Sequence, residues 1–321
     1  MPTYTATSNV PLSVAVFLAT DHYDHDPNTI SATRLLKSVR QTVLSNRVAE
    51  EDANTDLMSL FKSRIGTAIH DGIEKAWLGD YQSALSLLGH SEQFIQRIKV
   101  NSTDLGPDDI PIYMEQRYYK DFKGKRISGK VDFICNGRLE DFKSTSAYTW
   151  SAANKDKDYQ LQGSIYRWLA PEIITDDVFA IQFLFTDWKP AFAANDPNYP
   201  PSPVMERLIP LLSLEETERY IQEKLATIEN LQHAADEHIP LCNDAELWRK
   251  APVYKYFKNP AKTNRSTKNF SNSAEAYMRL HEDGNVGIVK EVPGKVIACN
   301  YCNAYSVCKQ KDSYLATGLL T

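Results

Sequence analysis

The sequence predicts an α/β protein: a mixed central β-sheet flanked by helices, with helical and loop-rich additions. Three observations carry that reading. "DIPIYMEQRYYKDF" and "KRISGKVDFICNGRLEDFKS" alternate apolar and polar residues, as successive antiparallel strands do. "VFAIQFLFTDW" (178–188) is an apolar run of strand length. Around these segments lie stretches whose apolar residues recur every three or four positions. The 321 residues suit one large domain or two small ones, and 42% hydrophobic with 24% charged residues is the balance of a chain with a substantial core.

Residues 1–29 read as strand and loop. Within them "LSVAVFLA" (12–19) has no basic region before it and no small-residue cleavage site after it, which predicts a buried strand rather than a signal peptide. "SATRLLKSVRQTVLSNRV" (31–48) reads as one helix, with Ser31 as N-cap and Leu35, Leu36, Val39, Val43 and Leu44 on one stripe. A polar linker separates it from a helix spanning about Ser63 to Leu78. "DYQLQGSIYRWLA" (158–170) is helical and ends at Pro171. "PNYPPSP" is a loop, and "SLEETERYIQEKLATIENL" (213–231) is a helix with a Ser213/Glu216 capping box. The remainder reads as loop-rich.

No segment is long enough to span a membrane. The net charge of −5 announces no polyanionic partner, so any basic surface must be local. The five cysteines, an odd number with no export signal, argue for a reducing cytoplasm over a disulfide framework.

Asn136-Gly137 between two alternating segments is a strong hairpin signal. With those two residues as the loop, Cys135 faces Arg138, Ile134 faces Leu139 and Phe133 faces Glu140. Continued, the register sets Asp132 against Asp141, Val131 against Phe142 and Lys130 against Lys143. Period-two alternation then puts Asp132, Asp141 and Lys143 on one face, with Val131, Phe133 and Phe142 on the core side and Glu140 pointing away from the acids. Directly opposed acids destabilise a strand pair, and a divalent oxygen-loving cation between them removes the penalty. His70 and Glu74 lie four apart on the 63–78 helix and share a face, as do Gln162 and Tyr166 on the 158–170 helix. Glu115 closes an apolar strand segment upstream of the hairpin.

In this order "GTAIHDGIE", "GKVD", "DFK" and "QGSIY" resemble the four motifs of the RecB-type branch of the PD-(D/E)xK nuclease superfamily, including phage-encoded exonucleases and CRISPR adaptation nucleases. The match spans residues 66–166. It implies a restriction-endonuclease-like core over residues 61–190, an N-terminal arm over 1–60 and a C-terminal helical and basic extension over 191–321, packed on the core as one domain. The implied activity is Mg²⁺- or Mn²⁺-dependent hydrolysis of DNA phosphodiesters at ends, in phage-type recombination, repair or replication. An endonuclease of the same fold and a catalytically idle nucleic-acid-binding module are the alternatives. A recombinase, single-strand-binding protein or helicase is the implied class of protein partner. Carried over by position, His70, Asp132, Asp141 and the Phe142 carbonyl would bind the metal. Lys143 would position and help deprotonate the attacking water, while Gln162 and Tyr166 would brace the site and contact the DNA backbone.

"CNYCNAYSVC" places Cys299, Cys302 and Cys308 in a C-x2-C-x5-C pattern. It resembles the iron–sulfur staple of some members of the same branch, which take a fourth cysteine from the N-terminal arm. This chain has none before Cys135. Thiolate sets for [4Fe–4S] or Zn²⁺ normally need four ligands. Cys242, His22 and His25 are the candidates for a fourth, and the sequence does not choose among them. Finally, "WRKAPVYKYFKNPAKTNRSTKNF" (248–270) holds Arg249, Lys250, Lys255, Lys258, Lys262, Arg265 and Lys268 with no acid, interleaved with Tyr254, Tyr256, Phe257 and Phe270. Lys125, Arg126 and Lys130 form a second basic run leading into the hairpin. Cations for phosphates and aromatics for unpaired bases predict a nucleic-acid path along these segments.

Overall fold

The structure is a computed structural model and describes residues 3–5, 9–20, 26, 28–49 and 54–320. In chain order the elements are β1 (Thr3–Thr5), α1 (Leu12–Ala19), β2 (Ile30–Ser31), α2 (Ala32–Leu36), α3 (Val39–Ser45), β3 (Asn54–Asp56), α4 (Phe61–Leu78), α5 (Tyr81–Leu87), α6 (Glu92–Arg97), β4 (Ile98–Val100), β5 (Ile110–Phe122) and β6 (Lys125–Cys135). They continue with β7 (Arg138–Thr145), α7 (Ala147–Ala152), α8 (Asp156–Leu169), β8 (Val178–Phe185), α9 (Pro190–Ala193), β9 (Val204–Pro210), α10 (Leu214–Leu231), β10 (Val253–Phe257), β11 (Lys268–Phe270), α11 (Ser273–Glu282), β12 (Ile288–Val292) and α12 (Lys309–Ala316).

The chain divides into two compact units, residues 2–36 with 54–226 and residues 37–53 with 227–321. The first is built on a seven-stranded sheet in the order β4-β5-β6-β7-β8-β9, with β2 beside β6. β5, β6 and β7 run antiparallel in sequence, whereas β7 and β8 are parallel, so the sheet is mixed as expected. Helices cover both faces. On one face Ile165, Trp168 and Leu169 of α8 and Ile221 and Leu225 of α10 pack on Val131, Leu139, Phe179 and Phe183. On the other, Ile73 and Trp77 of α4 meet Ile112, Met114 and Phe133. Strand β9, for which the sequence reading assigned no element, pairs with β8 from Val178↔Pro210 to Leu184↔Val204. The two units change over at 36/37, 53/54 and 226/227. The second unit carries its own antiparallel sheet, β11-β10-β12, where loop was expected.

Two local expectations are corrected. Residues 12–19 are helix α1, not a buried strand: Leu18 is buried, while Leu12 and Val16 are largely exposed. An apolar run without clear alternation does not separate the two states, and Pro11 starts the helix by accepting from the backbone of Val14 and Ala15. The single helix expected over 31–48 is broken at Lys37–Ser38. Ser38 caps the second piece, its hydroxyl accepting from the Gln41 N–H at 3.0 Å, and the two pieces belong to different units. The Ser31 hydroxyl does accept from the Arg34 N–H at 3.2 Å, and the Ser213/Glu216 capping box forms with both of its hydrogen bonds.

Gly129 fixes how closely α8 approaches the sheet. A methyl group there would lie 2.8 Å from the Tyr166 ring and from Leu169 Cδ1. Gly129→Ala is expected to destabilise the protein by about 1–3 kcal/mol through overpacking. Thermal melting checks this; an unchanged melting temperature would show that α8 does not depend on that close approach.

Candidate metal centre

The hairpin forms where the sequence puts it. Asn136 and Gly137 take left-handed φ values of 48° and 91°, as the tight turn requires. The pairs Cys135↔Arg138, Ile134↔Leu139 and Phe133↔Glu140 follow the expected register. The ladder then stops. Lower on β6, Ile127 and Ser128 pair instead with Ile30 and Ser31 of β2, so the expected facing of Val131 with Phe142 and of Lys130 with Lys143 is not part of the ladder. The Phe142 N–H turns to the Asp132 carboxylate, with Oδ2 at 3.4 Å. Val131 and Phe133 were expected on one core face; Val131 packs under α8 and Phe133 under α4, with Phe142. Alternation breaks at Asp132, between them. β6 and β7 part at this point and leave a cleft of about 710 Å³.

Two groups of side chains face each other across the cleft. Asp141 is 3% exposed and its carboxylate is ion-paired with Lys143. Gln162 donates from Nε2 to Asp141 Oδ1 at 3.2 Å, and the same nitrogen lies 3.2 Å from the Tyr166 hydroxyl. Gln162 and Tyr166 therefore brace the carboxylate from α8, as their shared helix face predicts. Glu140 points elsewhere, to Arg138 at 3.2 Å and Gln182 at 2.9 Å. Opposite, His70 on α4 sets Nδ1 3.3 Å from Asp132 Oδ2 and Nε2 2.8 Å from the Phe142 carbonyl oxygen.

Glu115 joins the second group; the sequence reading singles it out beside the hairpin but does not count it among the ligands. Ligand atoms of His70, Glu115 and Asp132 all lie within 4.8 Å of one another, the only such group of His, Cys, Asp or Glu among the described residues. Asp141 is outside it. The signal that locates Glu115 is the turn at Lys123-Gly124, with φ values of 50° and 71°. Its register pairs Met114 with Phe133 and Gln116 with Val131, which brings Glu115 level with Asp132. Glu115 itself adopts φ 53° and falls out of the ladder.

The electrostatics follow from this crowding. Burial, then Asp141 and Glu115, push the Asp132 carboxyl well above its usual range, against the pull of Lys143 and the Phe142 N–H. Burial alone would lower the Lys143 ammonium; Asp141 and Asp132 more than offset it and hold it above its ordinary value. Carboxylate and carbonyl oxygens beside an imidazole fit Mg²⁺ or Mn²⁺.

The basic residues are divided between the units. Lys125 and Arg126 are exposed at the β5–β6 tip, with Arg126 over the Tyr119 ring, while Lys130 lies in the cleft and pairs with Glu115 at 2.6 Å. In the second unit Lys250, Lys258, Lys262, Arg265 and Lys268 are exposed, Lys255 is half-buried and Arg249 pairs with Asp244 at 3.1 Å. Of the aromatics expected to stack on bases, Tyr256 and Phe257 are buried core and are withdrawn; Tyr254 and Phe270 stay half-buried.

The second unit also gathers the thiols. The Cys299 thiol is pushed up to about 11 by burial and by its neighbours Cys302, Cys308 and Cys242. Among the three candidate fourth ligands, Cys242 is the one beside the triplet; His22 and His25 lie outside the described residues. Cys242 Sγ is 3.2 Å from the Ser38 hydroxyl, and Arg40, 2% exposed, donates from Nε to Cys308 Sγ at 3.2 Å. Arg40 is fixed by Asp236 and by the Ile239 carbonyl at 3.0 Å.

No protein-family model and no curated protein matches the chain. Among solved structures it is similar to one described as the crystal structure of SSO0001, at 15% identity and a TM-score of 0.39, covering 70% of this chain and 90% of that one. No helix is long and apolar enough to cross a membrane among the described residues.

Because the folded protein raises the Asp132 pKa, ionised Asp132 destabilises the metal-free fold at neutral pH, and that effect fades as pH falls through the raised value toward the ordinary carboxylate range. Asp132→Asn is therefore expected to stabilise the metal-free protein by up to about 1 kcal/mol at neutral pH. Its advantage over wild type should shrink as the pH is lowered. Paired denaturant titrations across pH check the sign; a variant less stable than wild type throughout would refute the repulsion.

Proposed function

We propose that this chain is a divalent-metal-dependent DNA exonuclease on a restriction-endonuclease-like core. The observation that carries the reading is the convergence of Asp132, Asp141, Lys143, His70 and the Phe142 carbonyl on the cleft where β6 and β7 part. A hydrolase acting on a phosphodiester needs these parts: hard donors for a cation, and a cation-bearing side chain beside them. When bound, Mg²⁺ or Mn²⁺ supplies Lewis acidity and positive charge facing the phosphate.

The chain's own residues supply the rest. Asp141 and Asp132 hold Lys143 protonated, so its ammonium offers preorganised positive charge where negative charge develops. A nearby water can pass its proton toward the carboxylates that Lys143 faces. Gln162 fixes one oxygen of Asp141 and leaves the other to Lys143. Lys125, Arg126 and the basic segment 249–268 are suited to phosphate contacts, which implies a binding affinity that falls with salt.

The same reading extends to a metal centre at Cys242, Cys299, Cys302 and Cys308. Four thiolates are the usual set for either a [4Fe–4S] cluster or Zn²⁺, and the cluster is the proposal because the C-x2-C-x5-C triplet resembles the iron–sulfur staple.

In Mg²⁺, wild type is expected to degrade linear DNA and leave closed circles intact. Asp132→Ala and Lys143→Ala should each reduce the rate by at least about 100-fold, the scale for removing one preorganised electrostatic group, with unchanged circular dichroism. Gel assays on both DNA forms decide this: full activity in either variant would overturn the site, and cutting of circles would make the enzyme an endonuclease. For the thiols, protein purified without oxygen should contain iron and acid-labile sulfide, and Cys242→Ser should lose most of both. Zinc in place of iron, or metal retained in the variant, would refute the assignment.

A further inference from the structure

We propose that Trp248 and Tyr301 form a stacking site for the bases of an unpaired nucleic-acid strand, with Lys250 and Lys295 beside them for its phosphates. The proposal goes beyond hydrolysis in the cleft. The site lies wholly in the second unit and needs no metal.

The first observation is the backbone of Trp248. Residues 243–249 form one closed turn. Asn243 and Glu246 cap its start: Asn243 Oδ1 accepts from the Glu246 N–H at 3.0 Å, and Glu246 Oε2 from the Asn243 N–H at 2.9 Å. At its end the Arg249 N–H donates to the Asp244 carbonyl at 2.9 Å and the Trp248 N–H to the Ala245 carbonyl at 3.1 Å. This pair of bonds is the Schellman ending, in which the residue at the place of Trp248 takes a left-handed φ and is usually glycine. Trp248 adopts φ 47°. A bulky side chain is disfavoured there, and glycine would close the same turn without that strain. Nor is the indole given over to the core. The chain has five tryptophans, and Trp248, 47% exposed, is the only exposed one.

The second observation is the ring beside it. The Leu247 carbonyl accepts from the N–H groups of Ile297 and Ala298 at 3.1 and 3.0 Å. The 3-10 turn Ala298–Tyr301 is thereby bonded to the residue before Trp248. Tyr301, itself exposed, lies with its ring centroid 6.1 Å from that of Trp248 and the planes 38° apart. The rings are neither stacked nor edge-on, so neither covers the other. Two exposed rings brought together from separate segments offer faces to a third ring.

The third observation is charge. The Lys250 N–H donates to the Lys295 carbonyl at 3.0 Å. Gly294 permits this approach, since a methyl group there would lie 1.5 Å from the Lys250 carbonyl oxygen. Lys250 and Lys295 are both exposed, and neither forms an ion pair among the described residues. Arg249, by contrast, is tied to Asp244 at 3.1 Å. Flat rings beside uncompensated ammonium groups match a nucleotide, which has a π-face and an anion on one unit. An apolar protein partner would cover the rings and leave both ammonium groups without a partner. Tyr256 and Phe257, which the sequence offered for stacking, lie in the core, and Trp248 with Tyr301 takes that role.

The test is a titration of the full chain with an oligo(dT) strand of about 12 nucleotides. EDTA is present so that nothing is cut, and binding is read by tryptophan emission and by anisotropy of a label on the strand. Wild type should bind with quenching of the exposed tryptophan. Trp248→Gly should melt no lower than wild type, its backbone being relieved, and bind at least about fivefold more weakly. Tyr301→Ala should weaken binding likewise, and Trp248→Phe much less. Lys250→Gln and Lys295→Gln should each lower the slope of log affinity against log salt by about 0.7. Binding without quenching, or binding undiminished in Trp248→Gly, would overturn the proposal. So would a Trp248→Gly protein that melts well below wild type, because the indole would then be a packing group. An equal loss of affinity for duplex DNA would overturn the base contact as well. Cleavage assays in Mg²⁺ separate this reading from that of the cleft. Strand binding with quenching in a protein that cuts no DNA would keep the base site and remove the nuclease. Cutting by a protein that shows no quenching would do the reverse.

Discussion

Asp132 stands in β6 with Glu115 beside it on β5 and Asp141 beside it on β7, and the first unit is arranged around that crowding. A continuous ladder through this row would bury three like charges with nothing between them. The sheet instead parts there. β7 leaves β6 after Phe133↔Glu140, and β2 takes up the backbone of β6 further down. Glu115 leaves the ladder by adopting a left-handed φ. The parting makes the cleft, and the cleft lets side chains from α4 and α8 reach the acids.

Those helices are held by packing beside the acids. On α4, Trp77 lies against Phe133 with ring centroids 5.3 Å apart, two turns beyond His70. The ring of His70 meets that of Phe142 edge-on at 6.0 Å, so the residue that offers its carbonyl also sets the imidazole. On α8, the absence of a side chain at Gly129 lets Tyr166 lie against β6. Tyr166 is one turn from Gln162, and Gln162 holds Asp141. The chain from Gly129 to Asp141 is thus a series of contacts, each fixing the next. Rigid elements of this kind hold charged groups at separations they would not keep in a loop.

Much of this was legible in the sequence because it is local. Asn136-Gly137 requires left-handed backbone and so set the hairpin, and spacing by four paired Gln162 with Tyr166. What was not legible depends on partners distant in sequence. Residues 12–19 are apolar all round, and only their neighbours decide between helix and strand. The break at Lys37–Ser38 lies inside an unbroken apolar stripe, because Leu35 belongs to the core of one unit and Val43 and Leu44 to that of the other. Tyr256 and Phe257 look like a binding surface in a basic segment, yet pairing with two strands and α11 buries them. Cys242 is 57 residues from Cys299, too far for any spacing rule to join them. Glu115 is the instructive case: Lys123-Gly124 is a weaker turn signal than Asn-Gly, but its register alone brings Glu115 level with Asp132.

The two units gather donors of different chemistry. In the first, every candidate ligand is a carboxylate, a carbonyl or an imidazole, hard or borderline groups that suit exchangeable Mg²⁺ or Mn²⁺. In the second, the four cysteines offer soft sulfur, which those ions bind poorly and thiophilic metals bind tightly. Burial works in the same direction on both. It raises the Asp132 carboxyl, so the crowded acids resist full ionisation. It raises the Cys299 thiol as well, which favours the protonated sulfur. Arg40, buried and donating to Cys308, places a fixed positive charge against the sulfurs, as Lys143 does against Asp141. In each unit an apolar surrounding makes uncompensated charge costly, and cations of the chain offset part of it, Lys130 and Lys143 at the acids and Arg40 at Cys308. On the proposed reading a metal would offset the remaining deficit, and the hardness of the donors would decide which.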